Sequence, residues 1–224
     1  MSSITTKLDK QLEEFTAEVR ADPLLKGGFS AVGLSQGNLV LRAYIERVND
    51  PPVHQFISVC GPNNGVGTCP DNLAFKSVCP LWRLAKYSAP ISFADYWKDA
   101  ANEQQYLDKS RFLADLNNER QTKNATYARN MRGLKKLVLV EALNDTMVIP
   151  HESESFGFWQ WGQSAHGRHK LVVPMRETEG YKGDWIGLKS LDTSGRLKHH
   201  VYVGDHLRFS NDFWEKTVLP YLGE

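Results

Sequence analysis

Cysteine is scarce in this chain: Cys60, Cys69 and Cys79 are the only three in 224 residues. Three is too few, and odd, for a scaffold framed by disulfides, so cysteine usage leaves the compartment open. Charge of one sign is lacking too. Twenty-seven Lys and Arg stand against 26 Asp and Glu, a net charge of +1. That balance gives no electrostatic reason to expect nucleic acid or an anionic surface as partner. No apolar run is long enough to span a bilayer, so no transmembrane segment is expected. The opening stretch, Met1 to Lys10, lacks the apolar core of a secretory leader. There is no internal repeat and no low-complexity tract. What is present is a chain with 41% hydrophobic residues, enough for one domain with a sizeable core.

Leu8, Leu12, Phe15 and Val19 recur four, three and four apart, which predicts an amphipathic helix ending near Ala21-Asp22-Pro23. Short apolar runs predict strands at Phe29–Val32, Gln55–Cys60, Lys136–Glu141 and Leu197–Val203. The unbroken run at Lys136–Glu141 suits a parallel strand covered on both faces. Leu39–Arg47 reads as a helix, and Asn211–Leu222 as a closing helix capped by Ser210 or Asn211. Strands alternating with helices imply a parallel α/β sheet. From 61 to about 132 the pattern changes to short helical pieces rich in aromatics, among them Phe75, Trp82, Phe93, Tyr96, Trp97, Tyr106 and Phe112. This stretch reads as an insertion over the sheet within a single domain of residues 1–224.

Between the first strand and its helix lies Gly33-Leu34-Ser35-Gln36-Gly37. Strand, Gly-x-Ser-x-Gly, helix is the nucleophile elbow of α/β-hydrolases. The bare pattern is also met as a glycine-rich turn before a helix; the apolar strand before it and the helical period after it favour the elbow. A serine hydroxyl needs a base to take its proton and a carboxylate to orient that base. In this fold the chain order is Ser, then Asp or Glu, then His, on loops at the C-terminal ends of later strands. His54, His199 and His200 lie at the wrong ends of strands, His166 and His169 in a polar loop without the companions of a metal site. His151 is possible. His206 directly follows the fourth strand, where the base belongs; its alternative is a surface or helix-start histidine. Asp145 follows the third strand and is the expected acid; its alternative is a turn aspartate capping the next segment. Asp205 is expected to shape its loop rather than orient the ring.

With these residues placed, the chain resembles the lysosomal palmitoyl-protein thioesterase family. The resemblance is carried by Gly33–Gly37, Phe56–Gly61, Phe112–Arg120, Leu143–Pro150, Glu154–Phe158, Gly187–Asp192, Gly204–Leu207 and Phe213-Trp214 before Leu219–Leu222. It runs from about residue 10 to the end. It implies an α/β-hydrolase fold and a serine thioesterase that releases palmitate from cysteine of lipid-modified proteins, with no cofactor and no metal. Ser35 would be nucleophile, His206 base and Asp145 acid, and the backbone N–H of Gln36 an oxyanion donor. Residues 61–132 would form the acyl groove. S-palmitoylated proteins or peptides and palmitoyl thioesters are the implied partners, and a lysosomal or secretory location is implied. Other readings are an acyl-CoA thioesterase or lipase of the same fold, or a non-catalytic remnant.

The resemblance further implies a Cys69–Cys79 disulfide, a free thiol at Cys60 where the family has glycine, and glycosylation at Asn124 and Asn144, each in an Asn-x-Thr triplet. The family begins earlier, with a signal peptide, several strands and a His-Gly loop that carries the second oxyanion donor. Without them, the strand before Ser35 is expected to be an exposed apolar edge, and activity to be impaired.

Overall fold

The computed structural model describes residues 3–70, 79, 86–163 and 170–222. Phe75, Trp82, His166 and His169 lie outside them. Six strands occur among the described residues: β1 (Phe29–Leu34), β2 (Val53–Val59), β3 (Lys136–Ala142), β4 (Phe158–Trp159), β5 (Val172–Val173) and β6 (Leu197–Tyr202). β1, β2, β3 and β6 form one parallel sheet in that spatial order, and β4 pairs with β5 in a small antiparallel ribbon.

β2 and β3 are the inner strands, and their runs of apolar residues follow from that position. Alternate side chains go to opposite faces. Phe56, Leu137 and Leu139 join one buried cluster with Leu8 and Leu39. Ile57, Val59, Val138 and Val140 join another, closed by Val218 from the C-terminal segment. The chain therefore has the parallel α/β sheet expected from its alternating elements, covered on both faces, in keeping with the α/β-hydrolase fold that the elbow and the resemblance imply.

Helix α1 (Leu8–Ala21) buries Leu8, Leu12 and Val19, as its spacing predicts, and sets Phe15 edge-on to Tyr44 at 5.3 Å. Fully burying one such leucine contributes about 1.5–3 kcal/mol. Helix α2 (Gly37–Arg47) is buried on nearly every side. Even Arg42 and Glu46 are 0% exposed, and they pair at 3.0 Å. Nothing in their i, i+4 spacing separates this pair from a solvated one. The segments that follow β2 cover that face: Arg42 also donates to the carbonyl of Asn63 and to Asn117 Oδ1, and stands over the Phe156 ring.

The stretch from 61 to 132 contains the expected short helices, Glu103–Lys109, Leu113–Leu116 and Ala125–Arg132. Asn102 and Asn124 cap two of them with their side chains. Trp97, Tyr106 and Phe112 pack into the main core.

Two sequence expectations are refined. The C-terminal segment is not one regular helix. Asn211–Phe213 starts it, with Ser210 as cap, and Trp214–Val218 widens into a π-turn before Leu219–Leu222 closes as a 3-10 turn. Pro220 has no N–H for the next α-helical bond and its ring crowds the preceding turn, which accounts for the change of winding. β1 is an edge strand among the described residues. Phe29 and Val32 are half-buried and Ala31 buried, while Leu34 is 49% exposed. Alongside it a cleft of about 760 Å³ runs between β1 and α1, bordered by Phe15, Val32, Leu34 and Val40.

Candidate active site

Ser35 stands at the turn between β1 and α2 with φ +50°. A side-chain-bearing residue in that left-handed region costs of order 1–3 kcal/mol and persists only where its surroundings hold it. Here Ser35 N donates to Val59 O at 3.0 Å. Asn38, wholly buried, donates through Nδ2 to the carbonyls of Ser35 and Val59 at 2.9 and 3.0 Å. Gly33 and Gly61 make room for this asparagine: a Cβ on either would stand 2.3 or 2.7 Å from its side chain. Gly37, by contrast, faces no heavy atom within 4 Å among those described. The close approach at the elbow belongs to the first glycine of the motif and to Gly61.

Asp145 follows β3 and His206 follows β6, both at the C-terminal edge of the sheet. His206 Nε2 is 2.9 Å from Ser35 Oγ, and His206 Nδ1 is 2.5 Å from Asp145 Oδ2. Asp145 Oδ1 accepts from the N–H groups of Met147 and Val148 at 2.6 and 2.8 Å. Burial alone would raise the Asp145 carboxyl. The hydrogen bond from His206, with one from Glu154, outweighs burial and holds it below the usual carboxylate range. The neighbouring Asp205 accepts from Thr146 N, Thr146 Oγ1 and His206 N through one oxygen, so it binds the two loops together and does not touch the ring of His206.

The other described histidines are engaged elsewhere. His54 lies 3.0 Å from Gly27 O, and His200 is 2.9 Å from the Tyr221 hydroxyl. His151 and His199 each stand 2.8 Å from one oxygen of Glu141. Burial would raise Glu141, but its bonds to His151 and His199 take it down to about 2.

Gln36 meets the site with its backbone, which the sequence pointed to, and with its side chain, which it did not. Its backbone N–H opens α2, where the first N–H groups have no intrahelical acceptor. Its side chain clamps the surroundings: Nε2 donates to Ser3 O at 2.9 Å, while Oε1 accepts from Ser92 Oγ at 2.7 Å and Tyr96 OH at 3.2 Å. Ser35 opens onto a cavity of about 70 Å³ walled by Ile4, Val66, Phe93, Tyr96, Met147 and Val148. Of the described aromatics between 61 and 132, Phe93 and Tyr96 line it.

Beneath the site lies a group that spacing rules did not single out. Ligand atoms of Cys60, Asp145, Glu154 and His206 all fall within 4.8 Å of one another. These are donor types a zinc ion accepts, but they are committed to hydrogen bonds: Asp145 to His206, Cys60 Sγ to Tyr202 OH at 3.1 Å, and Glu154 Oε2 to the N–H of Ala142 at 2.9 Å. Cys60 is a free thiol, buried, with its ionisation pushed up by that burial. Its φ of +49° is a conformation that favours glycine, the residue that family resemblance puts there. Cys69 and Cys79 form a disulfide. Asn124 and Asn144 are exposed.

Comparison with known proteins gives a family and relatives. The Palmitoyl protein thioesterase family matches residues 1–206. Palmitoyl-protein thioesterase 3 of Dictyostelium discoideum is 39% identical over 98% of this chain and 77% of its own length. Palmitoyl-protein thioesterase 1 of Caenorhabditis elegans is 40% identical over 90% of this chain and 68% of its own. The lysosomal thioesterase PPT2 homolog of Drosophila melanogaster is 32% identical over 87% and 68%.

Proposed function

The chain belongs to the palmitoyl protein thioesterase family, and on that premise we propose that it hydrolyses the thioester joining a palmitoyl or similar long acyl chain to a protein cysteine. Ser35 is the nucleophile, His206 the general base and Asp145 the group that orients and stabilises the imidazolium. The observation that carries this reading is the unbroken line from Asp145 Oδ2 through His206 to Ser35 Oγ, with spacings of 2.5 and 2.9 Å.

The chemistry follows from that line. His206 Nε2 takes the proton as Ser35 Oγ adds to the thioester carbonyl. The N–H of Gln36 stabilises the oxyanion that forms. Collapse expels the cysteine sulfur, which leaves readily because a thiol has a pKa near 8.5, and the proton held by His206 passes to that sulfur, restoring the neutral base. Water then attacks the acyl-serine, with His206 again the base. Val66, Phe93 and Val148 receive the first carbons of the chain, each buried methylene contributing roughly 0.8 kcal/mol. S-palmitoylated proteins and peptides are the substrates.

A lysosomal location is part of the proposal. It is supported by the lysosomal name of a relative and by a disulfide, which persists in oxidising compartments. Asn124 and Asn144 are the proposed glycosylation sites. Among the described residues no helix is long and apolar enough to cross a membrane.

The test is turnover of palmitoyl-cysteine, butyryl-cysteine and palmitoyl oxygen-ester substrates by the wild-type chain and Ser35→Ala, with a fluorophosphonate probe mapped by peptide sequencing. We expect labelling at Ser35, preference for the palmitoyl thioester, and a loss of at least about 10³-fold in Ser35→Ala. Preference for butyryl or oxygen esters would redirect the reading to an acyl-CoA thioesterase or lipase; an unaltered Ser35→Ala would end it.

A further inference from the structure

Glu154 sits on the turn His151–Ser155, is 1% exposed, and has no part in the mechanism above. Asn63 Nδ2 donates to its backbone carbonyl at 2.8 Å and fixes the turn. Its two carboxyl oxygens are treated differently. Oε2 accepts the N–H of Ala142 at 2.9 Å, while Oε1 is buried and makes no hydrogen bond among the described residues. Yet a carboxyl oxygen of Glu154 lies within 4.8 Å of one of Asp145, and the two groups shift each other's ionisation. Two carboxylates cannot bond to each other without a proton, because both would be acceptors only. The oxygen that lacks a donor is satisfied if it carries one.

We propose that Glu154 is a neutral carboxylic acid whose Oε1–H donates to the carboxylate of Asp145, which makes it a positioning residue for the Asp145–His206 pair. The surroundings agree. The groups that face Glu154 are Asp145 from the loop after β3, the Cys60 thiol from the end of β2 and the Tyr202 phenol at the end of β6, with His206 beyond Asp145. Burial first, then the bond to Asp145 and the proximity of Cys60, push the Glu154 carboxyl up to about 12. A second negative charge beside Asp145 would pull a proton onto His206 and remove the free base. A neutral donor instead holds Asp145 ionised and in place, adding to the Met147 and Val148 amides on its other oxygen.

The inference rests on the proposed triad, and the experiment separates the two. Glu154→Gln keeps a donor toward Asp145 and an acceptor for Ala142 N–H without any charge. Glu154→Leu removes both. Two readouts are taken: the pH dependence of fluorophosphonate labelling at Ser35, and NMR titration of the His206 ring, which needs no activity. For Glu154→Gln we expect labelling within about threefold of wild type and a midpoint for the Asp145–His206 pair within ~0.3 pH unit, since no charge has changed. For Glu154→Leu we expect a tenfold to hundredfold slower reaction, roughly the worth of one hydrogen bond to a charged group, and a midpoint moved upward. If Glu154 were ionised, Glu154→Gln would lower the midpoint by about one unit or more, and that result overturns the inference, as does a folded Glu154→Gln more than tenfold slower. Wild-type chain that does not label at Ser35 but shows the expected titrations would overturn the triad and leave Glu154 as argued.

Discussion

Replacing Arg42 by Met removes the charge at the centre of the most buried polar network in the fold. Arg42 and Glu46 are both fully enclosed on α2. Arg42 also satisfies the Asn63 carbonyl and Asn117 Oδ1, and its guanidinium lies 4.9 Å from the centre of the Phe156 ring. Met fills similar volume but donates nothing, so four acceptors, Glu46 Oε1, Asn117 Oδ1 and the carbonyls of Asn63 and Leu116, lose their partner at once. Breaking a buried pair from one side costs about 3–5 kcal/mol, roughly a fifth or more of a typical folding stability of about 5–15 kcal/mol. For a domain of this size that is a fall in Tm of roughly 6–20 °C. The opposite truncation is far milder. Burial, only partly offset by Arg42, raises the Glu46 carboxyl to about 7, and its Oε2 has no partner to lose. Glu46→Gln keeps an acceptor for Arg42 Nε and should cost about 1 kcal/mol. Urea denaturation followed by tryptophan fluorescence gives both values. Arg42→Met below about 1.5 kcal/mol, or Glu46→Gln equal to it, would refute the argument that the arginine is the hub. The network reaches the site: Arg42 holds Asn63, and Asn63 holds the backbone of Glu154, so Arg42→Met should also slow labelling of Ser35 at temperatures where it remains folded.

The two glycines of the elbow should behave differently. Gly33→Ala forces a Cβ against Asn38 and should lose about 1–3 kcal/mol, whereas Gly37→Ala meets open space at the first turn of α2 and should be neutral or gain up to about 1 kcal/mol; equal losses in thermal melts would contradict the geometry. Stability should also fall as pH rises from 4.5 to 7. Glu46 titrates near 7 folded and near 4.5 unfolded, so its contribution is complete below 4.5 and is lost as pH climbs through 7. His151, raised by its bond to Glu141, acts in the same direction, and His200, lowered by burial, opposes it over part of the range. Urea midpoints measured at pH 5 and 7.5 should differ in favour of pH 5, and Glu46→Gln should shrink the difference; a midpoint that rises with pH across this window would count against the assignment.

The positions along the chain of the four strands of the main sheet, the buried character of β3 and the turn carrying Ser35 were legible because local pattern decides them. A run such as Lys136–Ala142 is apolar on both faces only where both faces are covered. His206 and Asp145 stood out because each follows a strand at the sheet edge, and chain order leaves few others. What was not legible depends on which remote segment covers which side chain. Arg42 and Glu46 have the spacing of a solvated pair, and only residues 63, 117 and 156 make them core. Glu154 lies in His-Glu-Ser-Glu-Ser, where two glutamates look alike; the structure buries the second and half-exposes the first. The hydroxyl of Ser92, its bond to Gln36 and the π-turn before Pro220 likewise depend on contacts that no local window contains.

The distance along the chain between Ser35 and His206, 171 positions, has a consequence for the life of the protein before it is finished. Synthesis runs from the N-terminus, so the elbow is made before its proposed base. β6, which His206 follows, is the last of the four described strands of the sheet to be made and lies beside β3. Until it docks, the proposed base is not beside Ser35, and that hydroxyl has no neighbour placed to take its proton. Reactivity at Ser35 should therefore appear in refolding only after the β3–β6 pairing, which makes probe labelling a clock for the completion of the sheet rather than for its beginning.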